Sequence, residues 1–177
     1  MILKLKQTPG IYLVGFMGCG KSRVGSALAD ELGWSFYDLD LEIEKAAGAS
    51  VSEVFDHRGE AAFRALETEA LKKRVYNVRT GIPQVIALGG GTFTIQENVE
   101  LATNHGVTIW LDAPLDVIER RIAAETHRPL ARDPVRLQAL YGDRRDDYAR
   151  ADYRIETLDH PPASIVQSIL ALPLFRP

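Results

Sequence analysis

Eight residues near one end of the chain, Gly15-Phe16-Met17-Gly18-Cys19-Gly20-Lys21-Ser22, have the spacing G-x-x-x-x-G-K-S. Glycines let the backbone turn until successive N–H groups point into one hollow, a shape that takes a phosphate. A helix starting at this point adds its partial positive charge. Lys21 then reaches the β- and γ-phosphates of a nucleoside triphosphate, and the Ser22 hydroxyl is a ligand for Mg²⁺. Cys19, inside the loop, reads as a small tolerated side chain.

The motif names a phosphate donor and leaves the acceptor open. Many phosphate-loop proteins set a magnesium carboxylate after a later apolar strand. Here the candidate strand Gln84-Val85-Ile86-Ala87-Leu88 runs into Gly89-Gly90-Gly91 and carries no acid. Asp38 and Asp40 are the available carboxylates. Residues i and i+2 on an extended segment point the same way, so both are expected to face one site. One would hold Mg²⁺ through water; the other would accept a hydrogen bond, and then the proton, of an acceptor hydroxyl. The alternative is an ordinary acidic loop with Asp40 capping a helix.

Glu60, Arg64 and Glu67 stand at i, i+4 and i+7, on one helix face. Alone, such a stripe is a solvated salt-bridge array. The glycine run tips the reading, because three glycines cost conformational entropy and suit a place where a ligand approaches the backbone closely. A guanidinium at Arg64 beside open backbone N–H groups would hold a planar carboxylate with two parallel hydrogen bonds. Residues 125–134 are polar and punctuated by proline, and read as a flap. Arg128 is its best candidate for closing over phosphate, with Arg121, Arg132, Arg144 and Arg145 nearby. The four histidines show no metal-ligand spacing, so no zinc is assigned.

These residues need a scaffold, and the chain spells one. Five apolar runs, at 11–14, 36–37, 84–88, 107–111 and 153–155, alternate with helical patterns. Val24, Ala27, Leu28 and Leu32 lead to Gly33 as a helix closing on its C-cap. Helices are also expected over 61–78, after Pro114, from Asp133-Pro134 towards Tyr148, and from Pro161-Pro162 onward. Apolar strands separated by helices imply an α/β three-layer sandwich around a five-stranded parallel sheet, with ligands at the carboxyl ends of the strands.

Composition bounds the rest. The 177 residues are 46% apolar and 25% charged, which excludes disordered, collagen-like and disulfide-scaffold classes and suits one domain. The balance of 21 basic and 24 acidic residues, with a pI near 5.8, argues against a nucleic-acid partner. One cysteine permits no internal disulfide. No run approaches the roughly 20 apolar residues of a membrane span, and the first residues lack a signal-peptide core. A cytoplasmic protein with no membrane partner is expected. A nucleotide-dependent switch would carry a guanine-reading N-K-x-D segment, and the sequence has none.

Taken in order, Leu13-Val14-Gly15-Phe16-Met17-Gly18-Cys19-Gly20-Lys21-Ser22, Asp38-Leu39-Asp40, Gly59-Glu60-Ala61-Ala62-Phe63-Arg64, Gly89-Gly90-Gly91 and Arg128-Pro129-Leu130 resemble the shikimate kinase family over nearly the whole chain. The resemblance implies a single kinase domain, 1–177, of nucleoside-monophosphate-kinase-like fold. A shikimate-binding segment would lie at about 40–67 and a lid at about 122–134. It implies transfer of the ATP γ-phosphate to the 3-hydroxyl of shikimate with Mg²⁺, by a monomer. In the roles it implies, Lys21, Asp40 and Arg128 are catalytic. ATP is held by Gly18, Cys19, Gly20, Lys21, Ser22, Arg23, Arg121 and Arg128. Shikimate is held by Asp40, Arg64, Gly89, Gly90, Gly91 and Arg144, and magnesium is organised by Ser22 and Asp38. The chain departs from the family pattern in three places: Arg23 stands where Thr is usual, the lid stretch 122–127 lacks glycine, and Pro161-Pro162 replaces a basic or amide residue near the adenine. A kinase for another sugar acid, such as gluconate, is the alternative that shares the phosphate loop.

Overall fold

The computed structural model describes residues 10–125 and 132–175. All five expected strands form: β1 (Gly10–Val14), β2 (Ser35–Asp38), β3 (Gln84–Ala87), β4 (Val107–Asp112) and β5 (Tyr153–Glu156). They make one parallel sheet in the order β2-β3-β1-β4-β5. The order reverses at β1, and a ligand crevice opens outside strand ends at such a reversal. The carboxyl end of β1 leads straight into residues 15–22.

β1 and β3 are buried at every position, as strands covered on both faces must be. The two edge strands depart from the apolar expectation. β2 is half-exposed, and β5 alternates Tyr153 and Ile155 inward with Arg154 and Glu156 outward. Charges on an exposed edge discourage pairing with another chain.

The helices are α1 (Lys21–Leu32), α2 (Leu39–Ala47), α3 (Val51–Arg79), α4 (Gln96–His105), α5 (Leu115–Ala123), α6 (Pro134–Tyr148) and α7 (Pro162–Leu170). α1 ends on Gly33 with φ 67°, as the Gly signal predicts. α3 begins ten residues before the expected helix, behind a Ser50–Glu53 capping box, and breaks at Gly59, whose φ of 82° few other residues adopt. α4 lies where no helix was expected, and α2 where only the alternative reading of Asp40 as a helix cap placed one. α2 follows from Asp38, whose carboxylate accepts the Asp40 and Leu41 backbone N–H groups.

The main core packs both sheet faces, from Ile11, Leu13 and Leu28 to Ile118, Ile122 and Ile169. Ile43, Val54 and Phe63 form a second, smaller cluster under α2 and the first part of α3. Among the described residues, no helix is long and apolar enough to cross a membrane.

Candidate active site

The phosphate wall is local. Gly18 and Gly20 have φ of 76° and 98°, conformations that other residues rarely take. No side chain caps the start of α1 at Gly20, so its first N–H groups stay open to an anion. The Lys21 ammonium donates to the carbonyls of Gly15 at 2.7 Å and Phe16 at 3.0 Å. Cys19 is buried in the loop, and Arg23 is exposed one residue beyond Ser22. Ser22 Oγ donates to Asp38 Oδ2. A hydroxyl and a carboxylate oxygen side by side are donors of the kind a hard divalent cation takes.

Asp38 and Asp40 do share the site, for a different reason from the expected one. The extended segment stops at Asp38, which is the N-cap of α2, so Asp38 rather than Asp40 does the capping. Asp40 sits in the first helical turn. Burial, with Asp38 and Glu67 close by, pushes the Asp40 carboxyl up to about 6, against the opposing pull of Lys21. A half-buried carboxylate near a lysine and two other acids is poised close to neutrality, as a general base must be.

The three glycines after β3 each make room for a different part of the opposite wall. A methyl group on Gly89 would stand 2.7 Å from Asp40 Oδ1 and 2.8 Å from Glu67 Oε1. On Gly90 it would meet Arg144 Nη1 at 3.2 Å and the Met17 backbone nitrogen at 3.5 Å. On Gly91 it would overlap the Arg64 guanidinium, 2.4 Å from Nη1. Contacts under 3 Å do not occur, so a side chain at Gly89 or Gly91 would displace Asp40, Glu67 or Arg64 from the turn, while one at Gly90 would crowd Arg144. Asp40, Arg64 and Arg144 thus meet along one turn, and Gly90 brings that turn against the phosphate loop.

Arg64 is fixed from several sides. Nη1 donates to Glu67 Oε2 at 2.5 Å, while Glu60 is 3.6 Å away and largely solvated. The guanidinium lies 5.8 and 5.6 Å from the ring centres of Phe55 and Phe63. Glu67 is 1% exposed, so the expected solvated stripe divides. Its outer acid faces water, whereas its inner acid is part of a buried chain. Thr92 Oγ1 donates to Glu67 Oε1 at 2.7 Å, the Asn98 amide donates to the Thr92 carbonyl, and Thr68 Oγ1 donates to Asn98. Arg144 stands 5.8 Å from the centre of the Phe16 ring. Tyr148, one turn further along α6, donates its hydroxyl to the Gly90 carbonyl at 2.5 Å.

The remaining arginines separate. Arg121 donates to the Gly18 carbonyl at 3.1 Å and to Asp159 at 3.3 Å, tying the phosphate loop to the segment before α7. Arg145 turns away from the cleft to Asp112. Arg132 is exposed, and Arg128 lies outside the described residues. So does the middle of the expected lid, 126–131, between the end of α5 and the start of α6. Sequence reasoning missed Tyr148, the buried state of Glu67, and Asp112. An acid at the carboxyl end of an apolar strand was the available signal for Asp112, as it was for Asp38. Nothing local marks Thr92 as the partner of Glu67, 25 residues away.

A family model described as shikimate kinase matches residues 17–172. The chain belongs to the shikimate kinase family. A shikimate kinase of Parasynechococcus marenigrum is 42% identical over 177 aligned residues, covering 96% of this chain and 90% of the relative. Among solved structures, shikimate kinase from Acinetobacter baumannii in complex with shikimate is 35% identical with a TM-score of 0.85, covering 94% of this chain and 93% of its own. A gluconokinase from Sinorhizobium meliloti, 19% identical with a TM-score of 0.57, shares the fold alone.

Proposed function

We propose that this member of the shikimate kinase family transfers the γ-phosphate of ATP to the 3-hydroxyl of shikimate, giving shikimate 3-phosphate and ADP. The observation that carries this reading is the turn at Gly89, Gly90 and Gly91, against which a carboxyl raised to about 6 and two arginines converge beside the phosphate loop. A compact ring bearing hydroxyls and one carboxylate matches that set of groups.

The residues divide the work. Gly18, Cys19, Gly20, Lys21, Ser22 and Arg23 cradle the triphosphate, and Arg121 lies beside the nucleotide base. Arg64 and Arg144 hold the shikimate carboxylate against Gly89, Gly90 and Gly91. Asp40 accepts a hydrogen bond from the 3-hydroxyl and takes its proton as the oxygen bonds to the γ-phosphorus. The bond to the β-phosphate oxygen breaks and ADP leaves. Lys21 and Arg128 offset the charge on the transferring group, and such positioning and electrostatics supply most of the catalysis of phosphoryl transfer. Ser22 and Asp38 would hold Mg²⁺. Among the described residues no group of three or more acidic, histidine or cysteine side chains could hold a metal alone, so phosphates and water would complete its shell, as is usual for this ion. The bound ion supplies charge neutralisation between the phosphates.

The reading extends to a single kinase domain, with residues 40–67 as acceptor-binding segment and 122–134 as lid. It extends to a monomer and to the cytoplasm, which suits a lone cysteine. Coupled ADP release with ATP, with and without Mg²⁺, tests it. Turnover should require the cation and shikimate, and gluconate turnover as fast as that of shikimate would overturn the assignment.

A further inference from the structure

Asp112 ends β4 and is 7% exposed, outside the residues assigned to either substrate. Both its oxygens are occupied by guanidinium groups. Arg145 grips it with two hydrogen bonds, Nη1 to Oδ1 at 2.8 Å and Nη2 to Oδ2 at 2.9 Å. Arg154 of β5 adds Nε at 2.9 Å and Nη2 at 2.7 Å, both to Oδ2. The two guanidiniums stand 4.9 and 5.0 Å from the centre of the Trp110 ring. One helical turn before Arg145, the Tyr141 hydroxyl donates to the Ala113 carbonyl at 2.9 Å and accepts from Arg145 at 2.8 Å. One turn of α6 is therefore pinned to two adjacent residues at the carboxyl end of β4.

The next residue round α6 matters to the acceptor. Arg144 and Arg145 project about 100° apart on a helix of 3.6 residues per turn. Fixing Arg145 against Asp112 fixes the direction of Arg144, which lies beside Phe16 and Gly90. Phe16 touches the same turn of α6 edge-on at Tyr141, 5.5 Å between ring centres. We infer that Asp112 is a positioning residue for the acceptor: through Arg145 it sets the place of Arg144 and so the affinity for the acceptor carboxylate. The pair is bidentate and its carboxylate is buried, although Arg145 keeps a part-exposed edge, so it imposes a direction that a single-point surface pair does not. If Asp112 loses its charge, the two guanidiniums over the Trp110 ring lose their shared counter-ion, and this turn of α6 keeps only the Tyr141–Ala113 hydrogen bond to the end of β4.

This rests on the proposed role of Arg144, and the experiment separates the two. Shikimate and ATP KM values and kcat are measured for Arg144→Ala, Asp112→Asn, Arg145→Met and the Asp112→Asn/Arg145→Met double variant, with Arg154→Gln as the comparison that removes a partner of Asp112 not carried by α6. Thermal midpoints verify folding, and Arg145→Met, on a part-exposed helix position, carries the test if Asp112→Asn is poorly folded. Arg144→Ala should raise the shikimate KM; if it does not, the role of Arg144 is wrong and the inference falls with it. Asp112→Asn and Arg145→Met should each raise the shikimate KM by about fivefold, with the double variant no worse than either, since residues acting through one contact are not additive. The ATP KM and the shikimate KM of Arg154→Gln should stay within about twofold. An unchanged shikimate KM, an additive double variant, equal rises in both KM values or an equal loss in Arg154→Gln would each overturn the inference.

Discussion

The phosphate wall of the cleft is eight consecutive residues that work through backbone N–H groups and one lysine. The acceptor wall gathers Asp40 from α2, Arg64 and Glu67 from α3, the glycine turn after β3, and Arg144 from α6. The first wall is a property of local sequence: glycine conformations and a helix start dictate it wherever it occurs. The second exists only in the fold, because its segments are separated by more than 20 residues and meet only where the sheet brings strand ends together. It also rests on the smaller core of Ile43, Val54 and Phe63, whereas the phosphate loop is seated on the main one. On the proposed reading, donor binding is written in local sequence and acceptor binding is assembled by the fold.

Breaking the generic wall should have the largest effect. Lys21→Ala should reduce kcat several-hundredfold, about 3–4 kcal/mol for a lost preorganised charge, with little change in shikimate binding measured by calorimetry. Asp40→Asn should retain ATP binding and lose transfer by about 10²-fold or more, the range of a general base. It should also change stability in the opposite direction. Because folding raises the Asp40 carboxyl from 3.8 to about 6, the folded chain binds more protons than the unfolded chain between those values. Stability therefore falls as pH rises through that window. Well above pH 6 the neutral Asn should be more stable than Asp by up to about 3 kcal/mol in thermal or urea melts, and the gain should vanish below pH 4.

Perturbing the assembled wall should give smaller and one-sided effects. Gly91→Ala puts a methyl group into the space of the Arg64 guanidinium. The shikimate KM should rise by at least about tenfold, the scale of a lost charge-assisted pair, while the ATP KM holds. A rise in both would mean that the two walls are not separable. Smallest, Glu67→Gln should move the acidic limb of the kcat profile below pH 6, because it removes one of the charges that raise Asp40. A limb that stays in place would take Glu67 out of that electrostatic group.

What was legible in the sequence follows the same division. The phosphate loop, the five strands, the C-cap at Gly33 and the Asp133-Pro134 helix start are written in adjacent residues, and each appears where expected. Arg64 beside the glycine turn was readable as a carboxylate site, but the close packing of its guanidinium on Gly91, across 27 positions, was not. Asp38 was readable as an acid at a strand end. That it caps a helix, and so turns Asp40 into the cleft, depends on two backbone N–H groups that only the folded turn supplies. The half-exposed edge strands were misread as fully apolar because an edge position is a fact of topology.

The central claim is that the acceptor wall reads a carboxylate through Arg64, independently of the phosphate wall. Its most direct test compares KM for shikimate with KM for the analogue whose carboxylate is a neutral carboxamide, in the wild-type protein and in Arg64→Ala. The wild type should favour shikimate by about ten- to a hundredfold, the value of a charge-assisted bidentate pair, and Arg64→Ala should lose most of that preference with its ATP KM unchanged. Equal discrimination by the two proteins would contradict the account.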